Sequence, residues 1–455
     1  MTSISLPLSS FLENHPDVAY IHHHWIDMSG ILRGRMLTKR YSIEMAESNK
    51  PLRLSPFCMM STVALFKLPR EYIPGGWTNL RPDWSSLRML RPGHASVMGS
   101  VMEDTMDHLG NDFCLPLRGC PRMALGKVVD TAASEHGLDI LLGFELEFYL
   151  IDEIDKTSSI ALSHFYPSLD EYGWSAAAPI NSRSTKCLEA CVRALEQAGV
   201  EVQQLHCEAG PHQFEISTAP LPTLQAIDAV VQSQQIVRLV ANDFGFRATF
   251  QPRPFINLPT SGLQAHLSIK KNTAKTDAER RATEDAFLAG VLRRLPLLCF
   301  FGMATPNSYT RVDTSAVGKL VGWGTGNRDM PVRKIGEGHW EMRAIDAIAN
   351  PYLTIAAYIT AGLLGIQEEE INRWKDCRDF INRLEDEQAK CLGLVTTMPK
   401  SLGEARAKFE ESKMGLEKLI ANELLELHWH VKKMEEEVFS NMTEEEQDVM
   451  YRRYV

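Results

Sequence analysis

Glu145 and Glu147 stand one residue apart in GFELEFYL, residues 143–150. Strand side chains alternate between faces, so the two acids share one face while Phe144, Leu146 and Phe148 line the other. An ordinary half-buried strand with its acidic face in water has the same pattern, and only partners elsewhere in the chain can decide between the two. HCEAGPHQFEIS at 206–217 offers Glu208 before a Gly-Pro turn and Glu215 on the strand after it. HWEMR at 339–343 alternates so that His339, Glu341 and Arg343 share a face. Carboxylates brought together from neighbouring strands form the hard-oxygen array that Mg²⁺ and Mn²⁺ prefer.

Arginines gather in the same part of the chain: Arg311 in NSYTR, Arg328 in WGTGNR, Arg333 in MPVR, and Arg343. Guanidinium groups chelate carboxylates and phosphates, so acids plus arginines suggest a metal-bound nucleotide facing an acidic substrate. Taken singly, each arginine is an ordinary surface residue. GWGTG at 322–326 is neither a Walker A loop nor a dinucleotide fingerprint and reads as a turn.

The elements that must position these groups are strands over 140–150, 201–207, 213–217 and 264–269, and helices over 186–199, 222–242 and 279–295. From about residue 366 the chain reads as almost wholly helical, with solvated charged faces packed on the body. Residues 17–36 read as a hairpin turning at Asp27 to Gly30. His22, His23 and His24 lie on its first strand, where alternation sends His23 away from the other two, so one compact metal site cannot easily use all three. The Pro/Gly-rich stretch up to about 110 suggests a small β-rich unit with long loops ahead of a large α+β unit.

The 455 residues are 44% apolar, enough for a substantial core. A net charge of −10, from 48 basic and 58 acidic residues, argues against a nucleic-acid or membrane-surface binder. LPLLCFFGMA from Leu295 is too short to span a bilayer and reads as a buried helix or strand. The start of the chain lacks a secretory pattern, so the cytoplasm is the expected compartment. Nine cysteines without a C-x-x-C pair favour reduced thiols, with Cys187 and Cys191 as small core residues one helical turn apart.

Taken in order, GFELEFYL, HCEAGPHQFEIS, SGLQAHLSI at 261–269, NSYTR at 307–311, WGTGNRDMPVR at 323–333 and HWEMRAIDAIANPYLTIAAYITAGLLGI at 339–366 resemble the linked motifs of the glutamine synthetase family. The likeness runs from about residue 17 to the C-terminus. It implies an N-terminal β-grasp domain (1–112) and a catalytic domain (113–455) with a curved antiparallel sheet, surrounding helices and a helical C-terminal region. It also implies a homo-oligomer of stacked rings with sites between subunits. Residue by residue, it places Glu147, Glu208 and Glu215 around one Mg²⁺ or Mn²⁺ ion, and Glu145 and Glu341 around the ion that holds the phosphates of ATP. Arg328 and Arg333 would hold phosphate, Arg311 and Arg343 the carboxylates of a glutamate-like acid, and His266 and Ser268 would lie beside the nucleotide. The implied reaction forms an amide from a carboxylic acid and an amine through an acyl phosphate.

The departures from the family pattern bear on the substrates. Gln264 stands at a histidine ligand of the nucleotide-side metal, and its amide oxygen is still a hard donor. His212 stands at a glycine and His339 at an arginine, while NLPTSG at 257–262 replaces the Asn-Gly segment that touches the amino-acid substrate. At the flap glutamate stands Val317, and the loop written FDGSS in the family resembles FCMMS at 57–61. With the ammonium-binding acids missing, the expectation is a ligase for an amine other than ammonium, with a catalytically silent scaffold or regulatory assembly as the alternative.

Overall fold

The computed structural model describes residues 6–62, 77–103, 120–152, 174–175, 182–255, 258–313, 316–443, 445–447 and 450. Near the N-terminus, strands β1 (Tyr20–Ile26), β2 (Leu32–Thr38), β3 (Leu52–Leu54), β4 (Thr78–Pro82), β5 (Arg88–Arg91) and β6 (His94–Glu103) form one sheet in the order β2-β1-β6-β4-β3, with β5 also on β6. The expected hairpin is β1 and β2, and β1 runs parallel to β6. Alternation separates the three histidines: His23 Nε2 lies 3.2 Å from Ser42 Oγ, while His22 Nε2, on the other face, lies 3.0 Å from His94 Nδ1.

A second sheet contains β7 (Leu138–Asp152), β8 (Val202–Cys207), β9 (Gln213–Thr218), β10 (Leu221–Pro222), β11 (Phe246–Thr249), β12 (Leu263–Lys271), β13 (Trp323–Thr325), β14 (Val332–Gly336) and β15 (His339–Met342). Its order is β13-β14-β15-β12-β7-β9-β8, with β10 and β11 also on β7. Only β13 and β14 pair in parallel. On β7, Phe144, Leu146 and Phe148 are buried in the main core, to which the helix Thr223–Asp243 also contributes. The opposite face of β7 carries Glu145, Glu147 and Tyr149.

Helices Asp277–Gly302 and Pro351–Gln367 cross where Gly290 meets Gly365. A Cβ on Gly290 would lie 2.3 Å from the Ala361 carbonyl oxygen and 2.7 Å from Gly365 Cα, so glycine sets the approach of the two backbones. The apolar run from Leu295 forms the buried end of the first of these helices. At the turn of the N-terminal hairpin, Gly30 has φ +87° and its Cα faces the Ile348 carbonyl, which a Cβ would meet at 2.3 Å. That turn is locked to the C-terminal part of the chain, since Asn350 donates to the Asp27 carbonyl (2.9 Å) and Ser29 to Glu435 (2.5 Å).

The expectation of an almost wholly helical C-terminal region needs correction. Residues 368–401 are largely irregular, and the helices there are Asp386–Cys391, Leu402–Ser412 and Asn422–Phe439. Parts of the irregular stretch are pinned to residues 319–327: Cys377 N–H donates to the Trp323 carbonyl (3.1 Å) and Val321 N–H to the Thr396 carbonyl (2.8 Å). FCMMS is likewise a short helix, Phe57–Met60, not a loop. The domain boundary at 112 lies outside the described residues. Among the described residues, no helix is long and apolar enough to cross a membrane.

His428, on the helix Asn422–Phe439, is fully buried, with Nε2 3.2 Å from the Phe300 carbonyl and its ring stacked on Phe301. Burial, reinforced by Lys432, pushes its pKa down to about 3. The folded state therefore keeps the imidazole neutral while the unfolded chain takes up a proton near pH 6.5, so its contribution is present above that pH and lost on descent toward pH 3. His428→Gln retains a donor for the Phe300 carbonyl but does not titrate. Its melting temperature should fall less steeply than that of the unsubstituted protein between pH 7 and pH 4.5 in chelator, and parallel slopes would contradict this.

Candidate active site

The register of the second sheet gathers the acids. Glu147 lies directly opposite Glu215, and His206 opposite Glu215 on the other side. Glu145 pairs with Gln264, His266 with Glu341, and Arg333 with Glu341. Glu145, Glu147, Glu208, Glu215, Gln264 and Arg343 thereby line one cavity of about 710 Å³, while Glu341 lies buried behind it.

Two clusters of possible ligands include residues that line this cavity. The ligand atoms of His206, Glu208 and Glu215 lie within 4.8 Å of one another, as do those of Glu145, His266 and Glu341. Glu147 adjoins the first cluster. Burial, then the charges of Glu208 and Glu215, push its pKa up to about 7. That displacement from the ordinary carboxylate value is worth about 3 kcal/mol against the charged form. Burial and then Glu215 also raise Glu208. His206 Nε2 lies 3.0 Å from Glu215 Oε1, and this contact lifts the imidazole to about 9, making it a local counter-charge.

The second cluster is better compensated. Glu341 is wholly buried between Arg343 Nη1, at 2.5 Å, and Arg333, whose Nε pairs with it. Burial raises Glu145, but His266, Arg333 and Arg343 outweigh it and hold the carboxyl below the usual range. Arg343 also donates to the Ala316 carbonyl at 2.9 Å. Arg311 lines the cavity but is anchored, its terminal nitrogens donating to the carbonyls of Ile345 (2.8 Å) and Arg343 (3.0 Å). Gly262 lies so close to it that a Cβ would meet Arg311 Nη2 at 2.4 Å. Ser268 lies opposite His339, farther along β12.

The residues present fit divalent cations. Glu147, Glu208 and Glu215 are buried together, where burial and their mutual repulsion raise Glu147 and Glu208, and the buried Gln264 Oε1 has no hydrogen-bond partner. A polar brace shapes the wall: Tyr149 donates to Gln213 Oε1 (3.2 Å) and to the Pro259 carbonyl (2.8 Å), while Gln213 Nε2 donates to Thr260 and Ser261 (both 3.1 Å). His212, at the position of the family glycine, keeps a left-handed backbone with φ +56°, which costs a non-glycine residue about 1 kcal/mol. Gly324 of the glycine-rich stretch packs against the Cys377 carbonyl, where a Cβ would come within 1.9 Å, so this stretch serves packing.

At the mouth stand residues that sequence reasoning missed: Trp174, Asp329, Arg378 and Phe380. Trp174 is 58% and Phe380 50% exposed, and the exposed Arg328 lies over the Trp174 ring at 5.0 Å. Asp329 Oδ2 accepts from Ile381 N–H at 3.3 Å, tying this acid to the aromatic edge. These groups come from loops that carry no periodic signal. His206 was within reach, since it alternates with Glu208 in the same quoted stretch.

Val317 and the Cys58-Met59-Met60 segment, which stand where the family's ammonium-binding acids are missing, do not line this chain's own cavity. Val317, Met59 and Met60 are at most 1% exposed and belong to the main core, because Val317 N–H is fixed to the Arg311 carbonyl and Met28 N–H to the Met59 carbonyl. Ala316 lines the cavity instead.

A mixed sheet brings its acidic strands together into two carboxylate clusters, and the sequence pattern described as glutamine synthetase, catalytic domain, matches residues 118–454. The chain belongs to the glutamine synthetase family. It is 30% identical over 443 residues to protein fluG of Emericella nidulans, covering 96% of this chain but only 49% of that protein, so it spans about half the length of that relative. It is 28% identical over 311 residues to the gamma-glutamylpolyamine synthetase GlnA3 of Streptomyces coelicolor, covering 64% of this chain and 63% of that protein. Among solved structures, a GmaS complex with ADP superposes with a TM-score of 0.77 at 22% identity, over 99% of both chains.

Proposed function

We propose that the chain is an ATP-dependent carboxylate–amine ligase that joins glutamate or a similar acid to an amine other than ammonium. The observation that carries this reading is the pair of carboxylate clusters that share Glu145, Glu208 and Glu215 with one cavity, which Arg311, Arg328 and Arg343 also line. Glu147, Glu208 and Glu215 would hold one Mg²⁺ or Mn²⁺ ion, and Glu145 and Glu341 a second, with Gln264 or His266 beside them. Bound there, the ions supply neutralisation of charge developing on the transferring phosphoryl group. Arg328 and Arg333 bind phosphate, with Ser268 beside the nucleotide, and Arg311 and Arg343 orient the acid so that its carboxylate meets the γ-phosphoryl group in line. Phosphoryl transfer gives an acyl phosphate and ADP, and the amine then displaces phosphate to form the amide.

The name of GlnA3, a gamma-glutamylpolyamine synthetase, supports an acceptor larger than ammonium. In the same reading the N-terminal sheet is the β-grasp unit of residues 1–112, ahead of a catalytic domain of 113–455. The protein is cytoplasmic and assembles as a homo-oligomer of stacked rings, in which a neighbour's Phe57, 41% exposed, helps to close the site. A silent scaffold has no use for buried like charges that cost this much when empty. Hydroxylamine traps acyl phosphates, so glutamate with Mg-ATP and hydroxylamine should yield a hydroxamate and an equal amount of ADP. ATP consumption without hydroxamate, across a range of carboxylic acids, would contradict acid activation.

A further inference from the structure

We propose that His266, and not Gln264, supplies the nitrogen-side ligand to the ion held by Glu145 and Glu341, and that His339 is its positioning residue. This rests on the two-ion reading above. Gln264 and His266 both project from the acidic face of β12, but the structure gives them different partners. Gln264 Nε2 donates to Glu147 Oε1 at 2.6 Å, so its amide is drawn to the neighbouring cluster. His266 Nε2 lies 2.9 Å from Glu145 Oε1, and its ligand atom, with those of Glu145 and Glu341, falls within the 4.8 Å span of a single ion's coordination.

The other nitrogen of His266 is held as well. His266 Nδ1 lies 3.1 Å from His339 Nε2, and the two rings meet edge-on at 61° with centroids 5.2 Å apart. Without an ion Nε2–H can donate to Glu145; with an ion bound, the tautomer in which Nδ1–H donates to His339 frees the Nε2 lone pair for the cation. An arginine at 339 could not accept that proton. The histidine there and the glutamine at 264 are thus one coupled exchange, in which the imidazole ligand moves two residues along β12 and gains its support from β15. Gln264 is left as a neutral crossbar to Glu147.

The test uses Mn²⁺ bound to the whole 455-residue chain without nucleotide, in a His206→Asn background that removes the other imidazole of the two ligand clusters. Pulsed electron paramagnetic resonance should show imidazole nitrogen coupling to Mn²⁺. The coupling should survive Gln264→Ala and disappear in His266→Gln. His339→Ala should weaken Mn²⁺ binding by about 10-fold and alter the coupling, as loss of a ligand's supporting partner does, and His339→Gln, which restores an acceptor, should recover most of it. Coupling that persists in His266→Gln, or vanishes in Gln264→Ala, overturns the inference alone. Mn²⁺ binding without any nitrogen coupling in the His206→Asn protein also overturns it, whether or not His266→Gln folds. Absence of bound Mn²⁺ in the unsubstituted protein overturns the two-ion reading itself.

Discussion

Glu208→Gln is expected to lower metal-dependent ADP formation by at least about 100-fold while leaving the metal-free protein folded and, at pH 8, more stable than the unsubstituted chain. The substitution is nearly isosteric, and its amide oxygen can still accept from Ala209 N–H, which Glu208 Oε2 does at 3.0 Å. It removes one hard anionic donor from a cluster whose purpose is to hold a cation. It also removes a charge that, with Glu215 and burial, raises the pKa of Glu147 to about 7. A carboxyl whose folded pKa is raised costs stability above its unfolded value and costs most above its folded value. The gain should therefore be seen at pH 8 and fade at pH 5, where Glu147 is protonated. Melting curves in chelator at the two pH values check the sign. A lower melting temperature at pH 8, or turnover within a few-fold of the unsubstituted protein, would contradict the assignment.

The acids were legible because two charges at strand spacing in an otherwise apolar run form a local pattern, and each of the three acidic stretches carries its own. Cross-strand register was not legible. Nothing in SGLQAHLSI distinguishes a glutamine aimed at Glu145 from one drawn to Glu147, since both lie on the same face and differ only by a diagonal contact. The mouth was illegible for a different reason. Trp174, Asp329 and Phe380 lie outside the named strands and helices, so no periodicity marks them. Val317 and Met59 showed the limit of reading side-chain type alone: an apolar residue near a site motif is as easily core as pocket wall, and here both are core.

The second large effect concerns the acceptor. Ammonium is a compact cation that only anionic or strongly polar groups can capture, and it must lose a proton to attack. In this chain the apolar surface of the cavity comes from Trp174, Phe380, Pro259 and Ala316, with Asp329 as the acid beside the aromatic edge. An alkyl ammonium can place its charge near Asp329 and its carbons against the rings, where aromatic contact with a cation is worth about 0.5–2 kcal/mol. Trp174→Ala should accordingly raise KM for the amine by about 10-fold, with a smaller rise in KM for ATP through Arg328, which lies over that ring.

The most direct measurement is ADP release and amide formation from Mg-ATP and glutamate with a panel of amines that includes ammonium, alkyl amines, polyamines and amino-alcohols. The account predicts amide formation dependent on both acid and amine, with kcat/KM for the best larger amine at least about 100-fold above that for ammonium, a difference of about 2.7 kcal/mol. Efficient glutamine synthesis at millimolar ammonium with larger amines ignored, or no amine-dependent turnover with any acid, would contradict it.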